Sequence, residues 1–275
     1  MTLAGRTLFV TGASRGIGLA IAVRAARDGA NVVVAAKTVE PHLKLPGTIY
    51  SAAAEIEAAG GRALAVQCDV RFEDQITAAV RAGVAHFGGI DAVVNNASAI
   101  RLGGAADVDA KAFDLMTAIG PRATYLVTRA ALPYLERSPN GHVLTLSPPI
   151  ALSSAWLGRA PAYAWKKYGM TLLTLSFAAE FRERGIAANA LWPKTTIATA
   201  AVQNLLGGDD LMRASRRPEI VADAAHAILT RDARACTGNT FIDEDVLREA
   251  GVDDVARYAV DPATTPAPDI FLDAP

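Results

Sequence analysis

Cysteine is scarce. The 275-residue chain has two, Cys68 and Cys236, far apart and in no paired motif, which argues against a disulfide scaffold or a cysteine zinc site and points to a reducing, cytoplasmic setting. The four histidines, His42, His86, His142 and His226, stand without ligand spacing, so no metal is expected. An excess of one charge is also missing. With 27 Lys and Arg against 28 Asp and Glu the net charge is −1, which leaves no basic footprint for nucleic acid or an anionic membrane. No apolar run approaches the roughly 20 residues of a membrane span. The opening MTLAGRTLFVTG holds too few apolar residues before its turn to be the core of a signal peptide. There is no fixed-period repeat and no low-complexity block, and no Ser-His-Asp arrangement can be assigned from spacing to support a hydrolase.

What is present is alternation. Strand-like runs at residues 7–10, 31–36, 63–69, 91–95, 142–147 and 187–192 alternate with helix-like runs at 18–28, 49–59, 73–87, 112–136 and 162–183. The run Asn31-Val-Val-Val-Ala-Ala36 is apolar throughout, as in a strand buried on both faces. Such βαβ order predicts an α/β fold: a doubly wound, Rossmann-type parallel sheet in a single domain spanning 1–275, with ligands at the carboxyl ends of its strands. Past Gly207 the pattern loosens to one more helix at 218–229 and a last strand at 240–243. Ile197, Ala198, Ala201, Val202, Leu205 and Leu206 suggest an apolar substrate lid within 195–215, and hence a hydrophobic small-molecule substrate; the same stripe also fits plain core. Residues 255–275, acidic and then proline-rich, read as an extended tail over the surface.

The turn Thr11-Gly-Ala-Ser-Arg-Gly-Ile-Gly18 joins the first strand to the first helix. Gly12 permits the tight turn, Gly16 lets backbone approach a phosphate, and Gly18 allows close helix packing. The helix end offers N–H groups and a positive dipole to a pyrophosphate. The second strand ends Ala36-Lys37-Thr38, with no acid to accept bonds from a ribose 2′-hydroxyl. Arg15 and Lys37 favour a 2′-phosphate, which predicts NADP(H); Lys37 read alone also fits a solvated loop lysine. Asp69, followed by Val70, is placed to reach the adenine amino group, and Asn95-Asn96-Ala97-Ser98 offers small and amide residues on the same sheet edge. Both sets also fit ordinary turn chemistry.

Tyr163 and Lys167 are four apart on an expected helix and share a face. A neighbouring ammonium favours phenolate and lowers a tyrosine that otherwise titrates near 10, giving a group that can exchange a hydroxyl proton while a nicotinamide moves hydride. Lys166 and Tyr168 beside them leave the pairing ambiguous. The order of the motifs, rather than the spacing alone, favours the catalytic reading.

TGASRGIG, NNA and YxxxK in this order resemble the short-chain dehydrogenase/reductase family over at least residues 5–200. AAKTVEPHLKLPGTIYSAAAEIEAAGG, LSPPIALSSAW, YAWKKYGM, ALWPKTTIATAA, TGNTFIDEDVL and PDIFLDAP narrow the likeness to the hydroxysteroid dehydrogenase-like protein 2 group, of which the extended 39–47 loop is typical. Animal members carry an added sterol-carrier domain, so a stand-alone catalytic half is expected. The resemblance implies that Gly12, Ser14, Arg15, Ile17, Lys37, Asp69 and Asn95 line the cofactor, that Thr196 sits near its carboxamide, and that Lys167 also bonds the nicotinamide ribose. It implies Tyr163 as acid/base and Lys167 as partner, and a four-helix seam that makes a homodimer or homotetramer. Two departures stand out. The fifth strand ends Leu146-Ser147-Pro148-Pro149, with proline where a second serine is usual, so Ser147 is the candidate to hold the substrate oxygen, ahead of Ser153 and Ser154. Gly120, followed by Pro121, stands where many members place a relay asparagine. Two functions follow: an NADP(H)-dependent alcohol/carbonyl oxidoreductase on a lipid-like substrate, or an NADP(H)-binding regulatory or scaffold protein with weak or no catalysis.

Overall fold

The structure is a computed structural model that describes residues 2–42 and 45–272. Leu43 and Lys44 of the 39–47 loop, Met1, and the last three residues of the 255–275 tail lie outside the described residues. The strands are β1 (Thr7–Thr11), β2 (Asn31–Ala36), β3 (Arg62–Gln67), β4 (Ala92–Asn95), β5 (His142–Leu146), β6 (Ala187–Trp192) and β7 (Thr240–Ile242). They form one sheet in the order β3-β2-β1-β4-β5-β6-β7, and every pairing is parallel. The expected Rossmann-type α/β fold is the observed one.

The helices are α1 (Gly16–Ala26), α2 (Ile49–Ala58), α3 (Glu73–Phe87), α4 (Ala110–Thr117), α5 (Ala123–Leu135), α6 (Ser154–Arg159), α7 (Pro161–Glu180), α8 (Gly208–Arg213), α9 (Glu219–Leu229) and α10 (Asp243–Glu249). Every residue of β1, β2, β4, β5 and β6 is buried, because helices cover both faces. On one face α1, α2, α9 and α10 pack through Ile21, Ile56, Ile228 and Val246. On the other, α3, α5 and α7 pack through Ile76, Val127 and Phe177. The helix ends follow local chemistry. Thr48 and Ser51 cap α2 reciprocally, Asp109 accepts from Ala112 N at the start of α4, α7 opens on Pro161, and α3 stops at left-handed Gly88.

Several boundaries differ from the sequence expectation. The helix expected over 112–136 is two helices joined by a π-type turn, Ala118–Arg122, because Gly120 adopts φ −85, ψ −106 and Pro121 follows. The last strand ends at Ile242, since Asp243 opens α10. The helices α6, α8 and α10 were not anticipated, being too short to print a period. In the 195–215 segment Ile197 and Val202 are core residues, while Leu205 is 65% exposed.

Chain order reverses between β1 and β4, so the crevice at their carboxyl ends is the switch point of the sheet. The glycine turn after β1 and Asn96–Ala99 after β4 flank it. At the opposite end of the sheet, His142 opens β5, buried, with Nε2 against Arg231 O at 3.1 Å. Burial pushes this imidazole down to about 4. It is neutral in the fold while the unfolded chain takes up a proton below its ordinary value near 6.5. Stability is therefore complete above that value and falls as the pH drops from 6.5 towards 4. Urea unfolding is expected to show a loss of about 2–3 kcal/mol over that interval, and a His142→Gln variant is expected to lack this part of the slope.

Candidate active site

Gly12 (φ 66) and Gly16 (φ 59) take left-handed backbone, and the turn is too tight for a Cβ at Gly12 or Gly18. A Cβ on Gly12 would lie 2.9 Å from Ala97 Cα, and one on Gly18 would lie 2.4 Å from Asn96 Nδ2 and 2.8 Å from Gly12 O. Asn96 is the clamp. Its Nδ2 donates to Thr11 O (2.9 Å) and Gly12 O (3.2 Å), while Thr11 Oγ1 accepts from Asn96 N and Ala97 N, each at 3.0 Å. No side chain caps α1, which leaves its first N–H groups available to an anion. Ser14 is buried in the turn and Ile17 packs on the core below. Arg15 donates to Pro46 O and Gly47 O, each at 2.8 Å, and so braces the far loop as a rim.

Lys37 is exposed at the tip of β2. The Asp69 carboxylate accepts from Arg71 Nε (3.0 Å) and Nη2 (2.6 Å), and this pairing holds it below the usual carboxylate range. Val70 beside it is buried. Asn95 turns its amide away, donating to Thr128 Oγ1 on α5 at 3.2 Å. Thr196 is pinned from two sides, by Ser215 Oγ at 2.9 Å and by its own N–H on Ala267 O at 2.9 Å.

On α7, Tyr163 is 4% exposed and Lys167 3%. Lys167 Nζ donates to Leu146 O at 2.7 Å and stands 4.7 Å from the Trp192 ring centre. The next residue, Ser147, is fully buried, and its Oγ has no partner among the described residues. Ser153 is half-buried and Ser154 exposed where α6 begins. Tyr163 differs from expectation: burial, and secondarily the nearby Asp269 carboxyl, raise it well above the usual phenol range. Asp269 is itself pushed up to about 8 by burial. Lys167 is pushed down to about 7 by burial, with Asp269 opposing. The phenol is thus held in its protonated form.

The C-terminal segment brings the remaining parts. The Phe271 ring stacks on Tyr163 with centres 5.8 Å apart and an interplanar angle of 11°, and it also meets Trp156, Tyr168 and Trp192. Phe271 is 2% exposed and has φ 71, a conformation that persists only when the surroundings impose it. The segment is stitched down by Asp269 N to Lys194 O and by Trp192 Nε1 to Ile270 O. Behind it Asp243 Oδ1 accepts from Lys194 N (2.9 Å), and Glu244 pairs with both Arg216 and Lys194.

The family model for short chain dehydrogenases matches residues 6–208. The chain belongs to that family. It is 54% identical over 271 residues to "Hydroxysteroid dehydrogenase-like protein 2" of Xenopus laevis, covering 98% of this chain and 64% of that protein. It therefore spans just under two-thirds of that relative's length. A crystal structure from Xanthomonas campestris is 56% identical and superposes with a TM-score of 0.97 over 100% of both chains. A metagenomic short-chain oxidoreductase solved in complex with NADP is 27% identical, with a TM-score of 0.71 over 88% of this chain and 98% of its own.

For a member of this family, the glycine turn, β4 tip and YxxxK helix meet as the motif order anticipated. The sequence reading assigned no role to Asn96, Arg71, Asp269, Phe271, Trp192 or Lys166. Asn96 (in NNA), Lys166 (in YAWKKYGM), Trp192 (in ALWPKTTIATAA), and Asp269 and Phe271 (in PDIFLDAP) lay in stretches that carried the resemblance; Arg71 did not. Because the closest atom to a new Cβ at residue 18 belongs to the Asn96 clamp, Gly18→Ala is expected to cost about 1–3 kcal/mol. Thermal denaturation of the variant beside the wild type checks this.

Proposed function

We propose that the chain is an NADP(H)-dependent oxidoreductase that interconverts an alcohol and a carbonyl on a hydrophobic, lipid-like small molecule. The observation that carries this reading is Ser147. A buried hydroxyl without a partner costs stability, and this one lies at a strand tip beside the carbonyl that anchors Lys167. The residues present fit a dinucleotide. The glycine turn has no room for a Cβ at Gly12 or Gly18, the α1 end is uncapped, and β2 closes on Lys37 rather than an acid.

When bound, the nicotinamide supplies or accepts hydride. Ser147 Oγ would hold the substrate oxygen. Tyr163, kept as a phenol by burial, would donate its proton to that oxygen, so the resting protonation state suits carbonyl reduction. Phe271, Trp192, Trp156 and Tyr168 exclude water around the phenol. Lys167 would bond the nicotinamide ribose, and Thr196 would face the carboxamide. The 195–215 segment would form the substrate lid. Exposed Tyr125, Trp165 and Leu172 on α5 and α7 fit a seam between copies, in a homodimer or homotetramer. Among the described residues no helix is long and apolar enough to cross a membrane, and a cytoplasmic location accompanies the proposal.

Assays of NADPH oxidation across apolar aldehydes, ketones and oxoacyl compounds test the reading. Tyr163→Phe is expected to lower turnover by about 10²–10⁴-fold with NADPH binding retained. Lys37→Glu is expected to shift the NADPH-over-NADH preference by about tenfold or more towards NADH, since an acid there repels a 2′-phosphate and accepts from a 2′-hydroxyl. The second reading, an NADP(H)-binding regulatory protein, is favoured by one observation, the Phe271 ring lying on Tyr163. Tight NADPH binding without turnover on the whole panel would support it.

A further inference from the structure

Lys166 is 0% exposed and among the largest fully buried side chains of the protein. It has no carboxylate partner among the described contacts. Its Nζ donates to Ser98 Oγ and to Ala99 O (2.8 Å) and stands 5.2 Å from the centre of the Tyr163 ring. Burying an amine without a counter-charge is costly, so a role in packing alone is poorly served by lysine. The route of its stem is specific. A Cβ on Gly120 would lie 2.5 Å from Lys166 Cγ, 2.9 Å from Cε and 3.2 Å from Cδ. Lys166 therefore threads the space that a side chain at 120 would fill. The non-helical backbone of Gly120 opens this route by breaking the helix at the turn between α4 and α5.

We propose that Lys166 is a positioning residue of the active site: admitted by Gly120, its amine ties the Ser98–Ala99 segment to α7 and stabilises the phenolate of Tyr163 from the ring face. The assignment rests on the oxidoreductase reading above. The stem enters from α7 and the amine reaches the end of the β4 segment, so one side chain joins the proton-transfer helix to the cofactor side of the crevice. A cation over an aromatic face is attracted by its π-system, and more strongly when the ring carries charge, so an ionised Tyr163 and a protonated Lys166 support each other. The charged groups around the pair are Lys167 from the same helix and Asp269 from the C-terminal segment. The Ser98–Ala99 segment brings no titratable side chain. Arg122 of the 118–122 turn points away, to Arg71 O. Tyr168 is engaged with Ala151 O. Burial, and secondarily Lys167, push the Lys166 amine well below the usual lysine range, and an ionised Tyr163 at the ring face would oppose that shift.

The test is Lys166→Met in the full chain with NADPH, a change that preserves length and packing against Gly120 while removing the amine. The expected result is a fall in kcat of about tenfold, with KM and NADPH affinity changed less than about threefold. The pH at which kcat/KM loses its acid is expected to rise by about one unit. A second variant, Gly120→Asn with Lys166→Ala, delivers a polar group to the same space from the opposite side. It is expected to turn over faster than Lys166→Ala alone. Wild-type kcat and an unmoved pH midpoint in Lys166→Met, while Tyr163→Phe is inactive, would overturn this assignment and leave the oxidoreductase reading standing. A double variant that folds and binds NADPH yet is no faster than Lys166→Ala would also overturn it. Absence of wild-type turnover across the panel would overturn both.

Discussion

A buried hydrogen bond, Lys167 Nζ to Leu146 O, sets α7 against the tip of β5, and most of the candidate site depends on it. It is the first of three such links at successive turns of the helix. Thr171 Oγ1 donates to Pro148 O at 2.7 Å, and Thr174 Oγ1 donates to Thr145 Oγ1 at 2.8 Å. Spaced at residues 167, 171 and 174, they lie on one helical stripe. Each satisfies a polar group that would otherwise be buried alone. The stripe fixes the rotation of α7, and that rotation decides where Tyr163, one turn earlier, lies relative to Ser147. It also sends Lys166 and Lys167 to different partners, although they are adjacent in the chain.

Desolvation then governs the chemistry. Covered by Phe271 and flanked by Trp192, Tyr163 and Lys167 are both driven towards their neutral forms, and Asp269 joins them. Three ionisable groups, two of them charged in water, share a space in which charge is expensive. The charges that survive at this end of the sheet stand further out, where Glu244 has Arg216 and Lys194 as counter-ions. A dry, nearly uncharged centre inside a paired outer layer suits transfer of hydride and proton as an overall neutral pair.

The glycine turn, the strand tips and the alternation of elements were legible because each is written in a few consecutive residues with a fixed period or a steric requirement. Strand β2 and helix α3 were read to the residue, the first from an unbroken apolar run. The pairing of Tyr163 with Lys167 was legible as a shared face, but not its electrostatics. Burial and the Asp269 carboxyl outweigh the expected pull of the ammonium, and neither leaves a mark near YxxxK. Asp269 and Phe271 come from a proline-rich stretch with no periodicity, and only the folded path back along Lys194–Thr196 brings them over α7. Lys166 read as ambiguity because the vacancy that admits it lies at Gly120, on another element.

That last pairing also makes residues 120 and 166 interdependent. On its present path Lys166 leaves no space for a side chain at 120, where a Cβ would lie 2.5 Å from its Cγ. The space can hold an amine arriving from α7 or a side chain arriving from the 118–122 turn, but not both.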